Sequence, residues 1–264
     1  MQECVFIDGV RTPNGRAHRE KGWFRNLRPD ELLTKAYSGL FERNPAVDPA
    51  MVDGVFVGSA NPSGMQNDIG RLGWLASGFP DSVPTNTLTN QCPSGMSAIM
   101  HGARAIMTGE TDVMIAAGVE DMEKVPMGTH MDFPPRLLEY YDGASLMMGM
   151  TAEKVAEEYN ISREDMENMA AWSNKKAAAA RDAGKYQKEI IPVEGLDDAG
   201  NSITVDRDQW IRDKVDPEKM ASMIPSFKPE GTVTAATSSP LTQGACALLL
   251  MSRDKADSLG LSYT

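Results

Sequence analysis

Apolar positions change period along the chain, and the changes divide it into elements. Cys4 to Val10 is rich in β-branched and aromatic residues and ends at a glycine turn, which predicts a strand. From Asp30 to Arg43, Leu32, Leu33, Ala36, Tyr37, Leu40 and Phe41 fall on one side at helical spacing. Asp53–Gly58 predicts a strand, Asp68–Ser77 a helix and Thr85–Thr89 a short strand rich in threonine. Ser94–Thr108 predicts a helix with Met96, Ile99, Met100, Ala103 and Met107 in register, and Asp112–Gly118 a buried strand. Strands alternating with helices predict a layered α/β domain.

After Gly118 the texture changes. Residues 119–150 are rich in Met, Pro, Gly and aromatics and show no period. Two helices follow. Thr151–Tyr159 is the first. The second starts at Ser162, an N-cap with Asp165 at the capping-box position, and runs to Ala183 with Gly184 just beyond. Residues 185–230 read as turn-rich and charged. Strand texture returns at Gly231–Ala236 and Ala245–Met251. Asp254–Leu259 predicts a short helix closed by Gly260, and Ser262–Thr264 the opening of a further strand. The expected organisation is an α/β domain formed by 1–118 plus 231–264, interrupted by a second domain at 119–230.

Composition narrows the function. A net charge of −11 argues against a nucleic-acid partner, because phosphate binding needs a basic surface. No apolar run is long enough for a membrane span, and the N-terminus lacks the pattern of a signal peptide, so neither membrane nor export is expected. Cys4, Cys92 and Cys246 are odd in number and far apart, which fits a reducing, cytoplasmic setting better than a disulfide framework. No motif with metal-ligand spacing stands out.

Cys92 is the residue with chemistry to offer. It lies between the strand TNTLT and the helix SGMSAIMHGARAIM. Free N–H groups and the positive dipole end at a helix N-terminus favour a thiolate. A strand–turn–helix corner lifts a side chain off the sheet. Taken alone, the position also suits a structural cysteine. Cys4 opens a strand and Cys246 lies in an apolar strand, and both read as core residues. His101 is nine residues beyond Cys92 on the same helix, more than about 12 Å along its axis, too far for a general base. His18 and His130 fall in polar loops.

TNQCPSGMSAI followed by AAGVEDM resembles the nucleophile segment of the thiolases, whose cysteine is acylated by a substrate thioester. VFIDGVRTPNGR, with Arg11, Thr12, Pro13 and Gly15, is similar to the family's opening. MMGMTAEKVA, ITVDRDQWIR, SFKPEGTVTAATSS and GACALLLMS resemble later segments, in the family's order. The resemblance implies a thiolase-like layered α-β-α domain with an inserted α-rich loop domain. It implies acyl transfer between a Cys92 thioester and CoA, as 3-ketoacyl-CoA thiolysis or Claisen condensation. Coenzyme A would be a substrate, with no covalently bound cofactor and no metal, and the subunits would form a homo-oligomer.

By the same resemblance Arg212 falls where an arginine contacts the nucleotide end of CoA. Ser239 falls where a serine bonds the pantetheine arm, and Phe227 and Ala235 line that channel. Met147-Met148 replaces a His-Met pair, which favours a pocket for longer acyl chains. The residues by themselves equally allow a solvated Arg212, a core Phe227 and methionines that only pack.

Two departures stand out. Pro93 replaces a glycine after the nucleophile; it suits a first helical position and leaves the N–H of Cys92 in place. Pro240-Leu241-Thr242-Gln243-Gly244 replaces Gly-Leu-Asn-Asp-Gly. The family's Gly-His-Pro, Asn-Glu-Ala-Phe and Cys-x-Gly segments do not occur in these residues. The expectation is therefore an acyltransferase that needs a C-terminal thiolase half, in cis or as a separate subunit, for turnover. The alternative is a non-catalytic acyl-CoA-binding or assembly subunit with the same fold.

Overall fold

A computed structural model describes all 264 residues. The chain separates into two compact units. One comprises residues 1–129, 186–209 and 241–264; the other comprises 130–185 and 210–240.

The first unit is built on a mixed sheet. Its strands are β1 (Cys4–Arg11), β2 (Gly15–Arg16), β3 (Gly54–Gly58), β4 (Thr85–Leu88), β5 (Val113–Asp121) and β8 (Thr242–Ser252). The order is β1-β8-β5-β3-β4, with β2 pairing the start of β8. β3 runs parallel to β4 and β5, whereas β8 is antiparallel to both neighbours.

Alternation along the strands feeds two faces. Val113, Ile115, Ala117 and Val119 of β5, with Ala245, Ala247, Leu249 and Met251 of β8, join a core that includes Leu32, Leu33, Ala36, Tyr37 and Leu40 of α1 (Pro29–Arg43) and Ile69 and Trp74 of α2 (Ile69–Ala76). Met114, Ala116 and Leu250 point the other way, onto Ala98 and Ile106 of α3 (Ser94–Met107). The result is a three-layer α-β-α arrangement, and the double burial explains why β5 and β8 read as nearly continuous apolar runs. After β8 the chain forms α7 (Arg253–Ser258), and Thr264 exchanges two backbone hydrogen bonds with Phe6, each 3.0 Å.

The unit boundaries differ from those read in the sequence. β5 continues through Asp121. Residues 186–209 return to the first unit as a hairpin of β6 (Val193–Leu196) and β7 (Ser202–Val205), whose Val193 and Val205 enter the main core. Arg11 fixes this return by a bidentate pair with Asp208 (2.7 and 3.0 Å) and a third bond to Glu189 (2.9 Å). Residues 231–240 fall in the second unit.

The second unit contains α4 (Met148–Tyr159), α5 (Arg163–Asp182) and α6 (Pro217–Ala221). The Ser162–Asp165 capping box forms. Gly231–Ala236 is not a strand. It contributes only a single bridge, Thr234 to Pro225, because the amides of Thr232 and Val233 are taken by the side chain of Glu153. None of the helices is long and apolar enough to cross a membrane.

Candidate active site

The parallel strands β3, β4 and β5 end on the same side of the sheet, the side on which open α/β sheets gather ligands. The turn from Thr89 to Pro93 rises there from β4 into α3. Its conformation is specific: Gln91 has φ +53°, a left-handed backbone at a non-glycine residue. The Ser94 hydroxyl, itself buried, donates to the Gln91 carbonyl (2.5 Å) and accepts from the Asn90 N–H (2.8 Å). Ser94 N–H also bonds the Gln91 carbonyl at 3.0 Å. One serine thus closes the turn around Cys92 and leaves that thiol exposed.

Gly58 at the end of β3 lets the turn come down onto the sheet. A Cβ there would lie 2.3 Å from the Ser94 carbonyl carbon and 2.4 Å from the Gly95 nitrogen. Only glycine permits that approach. Pro93 is the residue before the helix rather than its first member, and its carbonyl accepts the Ser97 N–H at 2.9 Å. A prolyl nitrogen at that position removes no helical hydrogen bond.

A polar network that sequence reasoning missed supports the turn. The Glu120 carboxylate accepts from Ala60 N–H and from the Gln66 amide, both at 2.6 Å. The Gln66 carbonyl oxygen accepts from Asp121 N–H at 2.7 Å, and Gln66 is fully buried. Ala60 in turn offers its carbonyl to the Thr89 hydroxyl at 3.3 Å. No local pattern announces it: Gln66 and Glu120 are 54 positions apart and meet only when β3 and β5 pair in the sheet. The unusual Gln243 bonds Phe24 carbonyl and the Asp121 carboxylate, both at 3.2 Å, so it is an interior support for the same loops.

The other cysteines are different. Burial raises the pKa of Cys4. It also raises that of Cys246, whose partners across the sheet are Gly118 and Arg11, against smaller opposing effects of the Gly118 N–H and the Arg11 charge. His101 lies with its ring 5.6 Å from that of Phe56, and His18 Nδ1 accepts from Glu20 and Lys21 N–H. His130 is in the second unit, with φ +60°.

In the second unit, Met148 opens α4 and is 63% exposed. The Phe227 ring lies against Gly149, the next residue of that helix. Arg212 is exposed, with its guanidinium 6.0 Å from the Trp210 ring. Ala235 and Ser239 are exposed on the segment that follows Thr234.

These features define a layered α/β protein whose one exposed cysteine stands at a strand–turn–helix corner, above the ends of parallel strands. Comparison gives the family: the chain belongs to the thiolases, and the family model for the thiolase N-terminal domain matches residues 4–254. It is 40% identical over 263 residues to a 3-ketoacyl-CoA thiolase of Marinobacter nauticus and 41% identical over 263 residues to one of Pseudoalteromonas translucida. In both cases the match covers 99% of this chain and 67% of the relative. The crystal structure of an acetyl-CoA acetyltransferase from Bacillus anthracis superposes with a TM-score of 0.85 at 32% identity, covering 100% of this chain and 68% of that one.

Proposed function

We propose that this chain performs the acyl-accepting chemistry of a thiolase, with Cys92 as nucleophile and coenzyme A as the thiol that takes or gives the acyl group. The exposed Cys92 on its serine-closed turn carries the proposal. In the thiolytic direction the Cys92 sulfur attacks the 3-keto carbon of a 3-ketoacyl-CoA. The C2–C3 bond breaks, and the departing carbon takes a proton as acetyl-CoA leaves. The CoA thiolate then attacks the Cys92 thioester and releases acyl-CoA. Each half needs a proton donor or acceptor at the reacting atoms. A C-terminal thiolase half is proposed to supply it, in cis or as a separate subunit.

Arg212, Phe227, Ala235, Ser239 and Met148 are proposed to hold CoA and the acyl chain, and their exposure is compatible with that role. The subunits are proposed to pair in the cytoplasm along the free edge of β4. The alternative, a binding subunit without the reaction, draws support from Pro93, but the proline takes no hydrogen bond from α3.

Incubation with an acyl-CoA and intact-mass analysis tests the proposal. A single acyl adduct that Cys92→Ser removes supports it. Tight CoA binding with no adduct under any condition favours the binding subunit.

A further inference from the structure

Within the second unit one face of α4 carries Gly149, Glu153 and Glu157 at a spacing of four, so the three lie in line along the helix. Each meets the segment 227–234. Gly149 receives the Phe227 ring so closely that a Cβ would lie 2.1 Å from it. Glu157 pairs with Lys228. Between them Glu153, 3% exposed, accepts four contacts on its carboxylate: Thr232 N–H at 2.9 and 3.0 Å, Val233 N–H at 2.8 Å and the Thr232 hydroxyl at 3.0 Å.

The segment has little else to define it. It is neither helix nor strand. Beyond Val233 it is shaped by side chains bonding backbone: the Thr237 hydroxyl accepts from Thr234 N–H at 3.0 Å and the Ser238 hydroxyl donates to the Thr234 carbonyl at 2.8 Å. Ala235 and Ser239 emerge exposed from these turns. A buried carboxylate that gathers two consecutive amides and a hydroxyl is the strongest of these restraints, since charge-assisted bonds exceed neutral ones.

We propose that Glu153 is a positioning residue for CoA recognition, fixing the segment 227–239 on α4 so that Phe227, Ala235 and Ser239 are presented together. The inference rests on the proposed role of that segment in holding CoA. Glutamine at 153 keeps the volume but loses the charge and one acceptor, so the ligand must order the segment itself, and that ordering is subtracted from affinity.

The test compares the 264-residue chain with its Glu153→Gln and Thr232→Val variants. Calorimetric titration with CoA reads affinity. The rate of Cys92 acylation by phenyl thioacetate, which has no pantetheine arm, reads the nucleophile alone. Hydrogen exchange reads the amides of 232 and 233. The expected result is a CoA dissociation constant raised about tenfold in Glu153→Gln and less in Thr232→Val, faster exchange at both amides and an unchanged acylation rate. Equal CoA affinity in wild type and Glu153→Gln would overturn the inference, as would an acylation rate that falls in parallel with affinity. If Glu153→Gln does not fold, an unchanged affinity in Thr232→Val overturns it. Failure of the wild-type chain itself to bind CoA would instead sink the reading of the segment as a CoA site.

Discussion

The Ser94 hydroxyl spans the turn that presents Cys92, 2.5 Å from the Gln91 carbonyl and 2.8 Å from the Asn90 nitrogen. A residue two positions after the nucleophile therefore holds the two residues before it. Ser94→Ala should loosen the left-handed Gln91, whose carbonyl keeps only the Ser94 N–H, and free the Asn90 N–H. The expected cost is about 0.5–1.5 kcal/mol of stability, with slower acylation of Cys92. Chemical denaturation and the labelling rate measure the two effects; a variant as stable and reactive as wild type would show that the turn holds itself.

Thiol labelling should separate the three cysteines. Burial raises the pKa of Cys4 and Cys246, and a raised pKa means less thiolate at any given pH. Only Cys92 is exposed. Iodoacetamide near neutral pH should modify Cys92 first, and Cys246 should respond only as the pH rises or the chain unfolds. Peptide mapping after brief labelling decides this, and early modification of Cys246 would refute the assignment.

Glu153 should make the second unit sensitive to acid. Although burial alone would raise its pKa, hydrogen bonds from Thr232 and Val233 and the nearby Lys228 charge outweigh it, and the folded-state value is lowered. A carboxylate with a depressed folded pKa stabilises the fold above its unfolded pKa, and the contribution is lost as pH falls through the folded value. Acidification below the ordinary carboxylate range should loosen 227–239 before the sheet unit. Hydrogen exchange as a function of pH follows it, and Glu153→Gln should flatten the response.

Gln66 offers a test of the buried network. It donates to Glu120 and accepts from Asp121; Gln66→Leu would leave the Asp121 N–H unpaired and Glu120 with only the Ala60 N–H and the Ser59 hydroxyl. The loss should be roughly 1–3 kcal/mol. Gln66→Glu should be comparably harmful because it sets a second carboxylate beside Glu120. Thermal melts of the two variants provide the measurement.

Much of the first unit was legible because burial on both faces leaves a strong apolar signature, as in β5 and β8. α3 was legible as a helix but its inward face was not: Ala98, Gly102 and Ile106 are buried, whereas Met96, Met100 and Met107 of the expected register are exposed, because small residues let the helix lie close on the sheet. The position of Cys92 between strand and helix was legible from the sequence. The β6–β7 hairpin was not, because its strands are only four residues each, too short for alternation to show, and lie within a charged, turn-rich stretch. Residues 231–236 look like a strand by composition, yet Glu153, some eighty positions earlier, takes their amides. Such long-range side-chain capture leaves no local pattern. Gln66 and Glu120 escaped for a related reason: a buried glutamine is recognisable only once its partners are known.

The final expectation concerns turnover. Residues 1–264 should accept an acyl group but should not cycle. Acylation of Cys92 by a reactive thioester requires an exposed thiol and a carbonyl carbon. Cleavage of a 3-ketoacyl-CoA also requires protonation of the departing carbon and activation of CoA, and general acid–base catalysis is worth about 10²–10⁴-fold. His101, on α3, holds its ring tilted 5.6 Å from that of Phe56 on β3, and His18 Nδ1 is occupied by two loop amides. Missing oxyanion donors would cost a further 10²–10³-fold or so. The expected signal is slow, single-turnover labelling with no steady release of acetyl-CoA, and restoration of turnover when a matching C-terminal thiolase half is added. Steady cleavage of a 3-ketoacyl-CoA by these residues alone, in the presence of free CoA, would mean that a base lies within them, and His130→Ala would be the first variant to make.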